Sequence, residues 1–110
     1  MYATIDRETL KHKLDSGEDI RLLEVLSEDE FKRLHIAGAE HLNFKRVIQE
    51  AGERFEKDDT IVVYCANKSC TASPTAARKL DSAGFTNVYD YEEGKQDWVD
   101  AGYPVEGEEA

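Results

Sequence analysis

The chain has 110 residues, of which 40% are hydrophobic and 35% charged, which is the balance of one small globular domain. Its 24 acidic and 14 basic residues give a formal net charge of −10. This charge argues against nucleic acid and anionic membranes as partners, because both bind clustered Lys and Arg. No apolar run approaches the roughly 20 residues of a membrane-spanning helix, and the N-terminal residues lack the apolar segment of a signal peptide. We therefore expect a cytoplasmic protein.

Short apolar runs alternate with helix-like segments along the chain. These runs are rich in β-branched and aromatic residues, which favour strands. In chain order they are a weak piece at 2–5, then 20–26, 41–44, 60–64 and 87–91. Because strands that alternate with helices are typical of parallel sheets, we predict an α/β fold in which helices cover both faces of a parallel sheet.

Capping residues mark the expected ends of the helices. Asp6 and Ser27 are predicted N-caps, the second in a capping box with Glu30. Ser73 before Pro74 is the predicted N-cap of a further helix, whose small residues would allow close packing on the sheet. Four glycines are predicted to end helices, namely Gly17, Gly52, Gly84 and Gly102.

No linker, repeat or low-complexity segment divides the chain. We therefore expect a single domain over residues 1–110, in which the acidic residues 106–110 form a frayed and solvated tail. The sequence has no long amphipathic seam, so a monomer is expected.

Cys65 directly follows the predicted strand at 60–64 and precedes a polar loop and a predicted helix. Ligands of open parallel sheets bind beyond the C-terminal ends of the strands, where this thiol lies. Free backbone N–H groups and the positive end of a helix dipole both favour the thiolate, which is the nucleophilic form of cysteine. We therefore predict that Cys65 is a nucleophile with a lowered pKa. The alternative is a cysteine that only fills the core.

The second cysteine, Cys70, lies five residues further along the same loop. A static disulfide across so short a loop would stabilise a cytosolic protein little. The three histidines, His12, His35 and His41, are scattered and lack the spacing of a zinc site. No metal and no cofactor are expected.

Three segments resemble the motifs of one family, the single-domain rhodaneses, which are sulfurtransferases that form a persulfide. Residues 22–44 (LLEVLSEDEFKRLHIAGAEHLNF) are similar to the N-terminal signature, and residues 61–80 (IVVYCANKSCTASPTAARKL) to the active-site strand, loop and helix. Residues 84–106 (GFTNVYDYEEGKQDWVDAGYPVE) are similar to the C-terminal signature. The resemblance covers nearly all of the chain. It implies a three-layer α/β/α fold with a five-stranded parallel sheet and helices on both faces.

The chain departs from this family at the active-site loop. Active members commonly carry a cysteine, four residues, an arginine, and then a serine or threonine. Cys65 and Thr71 stand at the two ends of that pattern, but Cys70 replaces the arginine. This change weakens the expectation of small anionic donors, because arginine binds their oxygens through two parallel hydrogen bonds.

Two further departures lie in the other motifs. Glu24 and Leu26 stand where the first signature usually has aspartate and arginine. Glu93 precedes Gly94 where a pair of glycines is common.

The resemblance implies that Cys65 takes sulfane sulfur from a donor, holds it as a persulfide and passes it to a thiol or another nucleophile. The donor would be a small compound such as thiosulfate or polysulfide, or a persulfide-carrying protein. Amide groups of the loop would surround the outer sulfur and stabilise its charge. The expected substrate-binding residues are Ala66, Asn67, Lys68, Ser69 and Thr71.

Several alternatives remain open from the sequence. Cys70 is either a resolving thiol, whose disulfide with Cys65 a thioredoxin-type reductant would open, or a neutral replacement of the arginine. For the domain as a whole there are three alternatives: an enzyme, a catalytically silent docking or regulatory module, or a redox sensor that uses both cysteines. Phosphatase or arsenate reductase chemistry is disfavoured, because such sites clamp an oxyanion with arginine.

Overall fold

The computed structural model describes residues 2–110. Its helices are α1 (Arg7–Asp15), α2 (Glu28–Arg33), α3 (Val47–Arg54), α4 (Ala72–Ser82) and α5 (Gly94–Asp100), and a 3₁₀ helix at Phe44–Arg46 precedes α3. Its strands are β1 (Ala3–Thr4), β2 (Ile20–Glu24), β3 (His35–Ile36), β4 (Glu40–His41), β5 (Thr60–Tyr64), β6 (Val88–Tyr91) and β7 (Val105–Glu106). No helix within residues 2–110 has the length and apolar character needed to cross a membrane.

Five strands form a parallel sheet in the order β1-β6-β5-β2-β4. The predicted five-stranded parallel sheet is therefore confirmed, and β5, which carries Cys65 at its end, is its central strand. A second sheet that the sequence did not predict pairs β3 with β7 in antiparallel orientation. Its strands have only two residues each, too few for an apolar pattern to mark them.

The core lies on both faces of the large sheet, because successive residues of β5 point to opposite sides. Ile61 and Val63 pack in a cluster with residues of α3 and α4, whereas Val62 and Tyr64 pack with residues of α1 and α5. Every one of these four side chains is fully buried. Burial of a large apolar side chain contributes about 1.5–3 kcal/mol, so β5 alone anchors both layers of helices.

Two of the three predicted N-caps are confirmed. Asp6 Oδ1 accepts a hydrogen bond from the Thr9 N–H at 2.8 Å, and Ser27 Oγ accepts one from the Glu30 N–H at 3.2 Å. Each bond satisfies a backbone donor that the first turn of a helix leaves free.

The third predicted N-cap, Ser73, is wrong. Helix α4 begins one residue earlier, at Ala72, and its N-cap is Thr71, whose side chain makes no capping hydrogen bond. Ser73 lies inside the first turn and is buried. Its hydroxyl is directed inward, where Cys65 donates a hydrogen bond to it, and so it is not available to cap the helix.

Three of the four predicted helix-ending glycines are confirmed. They follow the C-cap residues of their helices and have positive φ, namely Gly17, Gly84 and Gly102. Gly52 lies inside α3, so its prediction is wrong. The helix continues past it because Val47 and Ala51 already bury one face, and it ends only where Phe55 turns to an extended conformation.

The terminal residues 106–110 are exposed, but the expectation of a frayed tail does not hold. The Glu108 N–H donates to the Lys32 carbonyl at 3.0 Å, and the Glu109 N–H donates to the Arg33 carbonyl at 2.9 Å. Arg33 also forms an ion pair with Glu109 at 3.1 Å. These contacts join the end of the chain to α2, which is distant in sequence and therefore invisible to a local pattern.

The cap of α2 gives a stability prediction. Replacing Ser27 by Ala removes the acceptor for the Glu30 N–H and should lower the free energy of unfolding by about 1 kcal/mol. Urea denaturation measures this loss. Ser27→Asp retains an acceptor and is the control, for which little loss is expected; equal losses in both variants would contradict the capping role.

Candidate functional site

Cys65 lies directly after β5 and is only 1% exposed. The first turn of α5 holds the backbone at this point. The Cys65 carbonyl accepts a hydrogen bond from the Lys95 N–H at 2.8 Å, and the Ala66 carbonyl accepts one from the Gln96 N–H at 2.9 Å. The start of the loop is therefore fixed to a helix from a distant part of the chain.

Gly94 permits this close contact between α5 and the loop. Its φ is +78°, and a Cβ at this position would lie 2.8 Å from both the Cys65 carbonyl oxygen and the Asn67 backbone nitrogen. A side chain would therefore need a left-handed conformation and would clash with backbone atoms. Gly94 alone is sufficient for this close contact. Glu93, which stands where a second glycine is common, does not prevent it.

The loop after Cys65 forms a compact turn around Asn67. The Asn67 Oδ1 accepts a hydrogen bond from the Ser69 N–H at 3.0 Å, and the Asn67 carbonyl accepts one from the Cys70 N–H at 3.1 Å. Both bonds are local, as expected for an asparagine that shapes a turn. Asn67 thus sets the path of the chain between the two cysteines.

The other predicted binding residues line the same loop. Ala66 is half-buried, and the exposed residues are Asn67, Lys68, Ser69 and Thr71. Lys68 Nζ lies 3.5 Å from Glu93 Oε1. Its charge is therefore partly offset, and an exposed pair of this kind holds the lysine only weakly.

The sulfur of Cys65 has a mixed environment. Its thiol donates a hydrogen bond to Ser73 Oγ at 3.4 Å. The pKa of Cys65 is raised to about 11. Burial is the largest cause and the neighbouring Cys70 acts in the same direction, while the hydroxyl and backbone N–H of Ser73 act to lower the pKa. The predicted lowering of the pKa is therefore wrong. The helix end does present an N–H to the sulfur, but the cost of burying a charge outweighs it.

Cys70 lies close to Cys65. Both are free cysteines, and Cys70 is half-buried against the core cluster that contains Cys65. Cys70 is near enough to Cys65 to raise the pKa of its thiol. The replacement of the usual arginine therefore places a second thiol beside the first.

A buried ion pair that the sequence analysis missed lies on the opposite side of the loop. Lys95 Nζ lies 3.1 Å from Glu24 Oε2 and also donates to the Leu34 carbonyl at 2.6 Å. The Tyr64 hydroxyl donates to Glu24 Oε1 at 2.9 Å and accepts the Ile36 N–H at 3.1 Å. Burial raises the pKa of Glu24, whereas Lys95 and Tyr64 act to lower it.

This network joins β2, α2 and α5 behind the site. The acidic Glu24 within the apolar run 20–26 was the sequence signal for it, because a buried carboxylate requires a partner. Two more residues near the sulfur escaped sequence reasoning: Ser73, taken as a cap, and the buried Asp90 of β6.

The comparisons with known proteins agree on one family. A family model described as "Rhodanese-like domain" matches residues 6–101. The "Putative sulfur carrier protein YrkF" of Bacillus subtilis is 33% identical over 95 residues, which are 86% of this chain and 50% of the relative. The chain thus spans half the length of that protein. The "Thiosulfate sulfurtransferase GlpE" of Coxiella burnetii is 32% identical over 86 residues, which are 78% of each protein.

Solved structures have the same fold. The rhodanese-like domain of the Alr3790 protein from Anabaena superposes with a TM-score of 0.89 and is 30% identical, covering 99% of this chain and 82% of that chain. The BH2092 protein from Bacillus halodurans superposes with a TM-score of 0.90 at 25% identity, covering 97% of this chain and 78% of that chain.

The contact at Gly94 predicts a large loss of stability on Gly94→Ala. The left-handed conformation alone costs about 1–2 kcal/mol, and the clash with the Cys65 and Asn67 backbone adds to it. Gly38→Ala is the matched control, since Gly38 also has a positive φ but no atom lies within 4 Å of its Cβ position. Urea denaturation should show a greater loss for Gly94→Ala; equal losses would mean that the close approach is unimportant.

The buried ion pair predicts non-additive losses. Lys95→Met leaves the Glu24 carboxylate without its cation and should cost about 3–5 kcal/mol of unfolding free energy. The double variant Glu24→Gln/Lys95→Met removes both charges and should be less destabilised than the sum of the two single variants. Chemical denaturation of all three variants tests this, and strictly additive losses would rule out direct coupling.

Proposed function

Because the chain belongs to the rhodanese-like domain family, we propose that it is a sulfurtransferase that carries sulfane sulfur as a persulfide on Cys65. The observation that carries the proposal is the position of this thiol. It lies at the C-terminal end of the central strand, and its sulfur lies 3.4 Å from Ser73 Oγ in the first turn of α4. In a parallel sheet this is the place where ligands bind.

The proposed reaction has two displacement steps. The Cys65 thiolate attacks the outer sulfur of the donor. The bond between that sulfur and the rest of the donor breaks, and the remainder of the donor leaves with the electron pair. The outer sulfur then carries the negative charge and lies among the backbone N–H groups of 66–71. An acceptor thiolate attacks this outer sulfur, takes it away and restores the Cys65 thiolate.

We propose that polysulfide or a persulfide-carrying protein is a better donor than thiosulfate. Thiosulfate carries charged sulfonate oxygens that polysulfide and a protein persulfide lack, and the position from which arginine would bind these oxygens is occupied by Cys70. Lys68 is the nearest loop cation, and Glu93 offsets its charge. One relative carries the name of a thiosulfate sulfurtransferase and another that of a putative sulfur carrier protein, so thiosulfate stays in the test as a donor.

The packing of Cys70 against the core cluster that contains Cys65 supports a resolving role for Cys70. In this step the Cys70 thiolate attacks the inner sulfur of the Cys65 persulfide. A disulfide forms, the outer sulfur leaves as hydrogen sulfide, and two electrons from a thioredoxin-type dithiol later reduce the disulfide. The same pair of thiols would serve a redox sensor, which is the second candidate function; it requires an oxidant in place of a sulfur donor.

Intact-mass spectrometry tests the proposed function. The purified protein is exposed briefly to polysulfide, to thiosulfate or to a protein persulfide, beside the variants Cys65→Ser and Cys70→Ser. We expect a gain of one sulfur atom that Cys65→Ser abolishes, with polysulfide or protein persulfide loading faster than thiosulfate. If Cys70 resolves the persulfide, the adduct should accumulate in Cys70→Ser and convert to a disulfide in the unmodified protein.

Each other outcome selects an alternative. A disulfide that forms with peroxide but never with a sulfur donor would favour the redox sensor. Folded protein that gains no sulfur from any donor would overturn the sulfurtransferase proposal and favour a docking or regulatory module. Equal persulfide accumulation with and without Cys70 would mean that Cys70 is a neutral replacement.

A further inference from the structure

The thiol of Cys65 is buried, although the proposed function requires a donor to reach it. Cys65 is only 1% exposed. Two backbone hydrogen bonds from α5 hold the loop at this point, donated by the N–H groups of Lys95 and Gln96. A donor can therefore contact the sulfur only when this part of the loop moves. The contacts that hold the loop closed then control access to the thiol.

Helix α2 lies beside the same part of the loop and is weakly anchored by packing. None of its residues is buried. The end of α2 and the loop together line a cavity of about 280 Å³, whose walls include Arg33, Leu34, Ala66 and Asn67. Elements with few buried apolar contacts open locally at low cost in free energy. The position of α2 therefore depends strongly on its polar contacts.

The side chain of Lys95 joins α2 to the loop. Its Nζ donates to the Leu34 carbonyl at 2.6 Å and to the Glu30 carbonyl at 3.4 Å, both at the C-terminal end of α2. Its backbone N–H donates to the Cys65 carbonyl at 2.8 Å. One residue thus connects the end of α2 with the backbone beside the thiol, so a displacement of α2 acts on the loop.

Residues 105–110, which we call the strap, hold the end of α2 in place. The strap begins with β7, which pairs with β3 just after α2. The N–H groups of Glu108 and Glu109 then donate to the carbonyls of Lys32 and Arg33 at 3.0 and 2.9 Å. These carbonyls lie in the last turn of α2, where a helix leaves its own acceptors unpaired. The strap therefore supplies the C-terminal cap of α2 from a distant part of the chain.

Gly107 permits the close approach of the strap to α2. Its φ is +122°, and a Cβ at this position would lie 2.9 Å from the Arg33 carbonyl oxygen. It would also lie 3.0 Å from the Lys32 carbonyl oxygen and the Leu34 Cα. A side chain here would therefore be strained and would clash with the backbone at the end of α2.

We propose that the strap is a latch that keeps the Cys65 loop closed by acting through α2 and Lys95, and that its release opens the loop to a sulfur donor. The strap fixes the end of α2, the end of α2 holds the Lys95 side chain, and the Lys95 N–H holds the Cys65 carbonyl. This inference deepens the proposed function and rests on it for its consequence, which is the admission of the donor.

The rate of Cys65 alkylation by iodoacetamide tests the proposal. The experiment uses a Cys70→Ser background, where Cys65 is the only cysteine, and compares Gly107→Ala with Gly17→Ala. Gly17 is the matched control, since its φ is also positive but no atom lies within 4 Å of its Cβ position. We expect alkylation about fivefold faster in Gly107→Ala than in the control, the factor that corresponds to the loss of one net hydrogen bond.

The pH dependence of the same reaction gives a second readout. Burial is the largest cause of the raised pKa of Cys65. Because an open loop exposes the thiol, the alkylation profile of Gly107→Ala should move to lower pH. A strap that only stabilised its own surroundings would leave this profile unchanged.

Hydrogen exchange shows whether the effect follows the proposed route. The amides of Lys95 and Gln96 should exchange faster in Gly107→Ala, whereas those of the central strand β5 should keep their protection. Glu108→Pro removes the N–H that binds the Lys32 carbonyl, and Glu108→Ala retains it. The proline variant should therefore reproduce the effect of Gly107→Ala, and the alanine variant should not.

Two results would overturn the proposal. The first is faster exchange confined to the strap and α2, with the alkylation of Cys65 unchanged. The second is alkylation that rises only in step with the loss of unfolding free energy in urea, because the opening would then be global. If Gly107→Ala does not fold, Glu108→Pro decides in its place. None of these measurements uses a sulfur donor, so their outcome is independent of whether Cys65 forms a persulfide.

Discussion

The contact of α5 with the backbone at Cys65 is the constraint on which the site depends. Two consecutive N–H groups of α5 bind the carbonyls of Cys65 and Ala66, and the missing side chain of Gly94 allows the two segments to touch. The strand fixes one side of the cysteine and this helix fixes the other. The Lys95 side chain continues the contact into the buried pair with Glu24, so the same helix turn that holds the loop also ties it to β2. A shift of α5 would therefore move the loop and the core together.

Burial and the helix end act in opposite directions on Cys65. The first turn of α4 supplies an N–H and a hydroxyl that stabilise a negative sulfur, but the surrounding core raises the pKa of the thiol to about 11. The outer sulfur of a persulfide would extend away from that core toward the exposed loop. The cost of burial therefore falls mainly on the unloaded thiolate, while the loop amides act on the loaded sulfur. If Cys65 carries sulfur as proposed, the site would therefore stabilise the loaded sulfur better than the bare thiolate.

Local patterns in the sequence predicted the elements that local forces determine. The strand at 60–64 has the predicted bounds, because its β-branched and aromatic residues are buried on both faces. The position of Cys65 at the C-terminal end of this strand could therefore be predicted as well. Ser73 was misassigned because a serine before a proline is a common helix start, and only the position of the thiol, eight residues away, draws its hydroxyl inward. The burial of Asp90 beside β5 could not be predicted from the sequence, because it depends on the register between β5 and β6. Long-range register and packing thus set the parts of the site that sequence patterns missed.

The charges around the thiol bear on which sulfur donor the proposed function would use. The usual loop arginine is absent, Lys68 is paired with Glu93, and the strand beside β5 carries the buried Asp90. The chain as a whole carries a formal charge of −10. In the proposed function, a donor with charged oxygens such as thiosulfate would approach with no guanidinium to bind those oxygens. A donor whose transferable sulfur carries little charge, or is presented by a protein with a basic surface, would meet a smaller barrier. Under the proposed function, the acidic surface and the absent arginine both disfavour a free oxyanion as the sulfur donor.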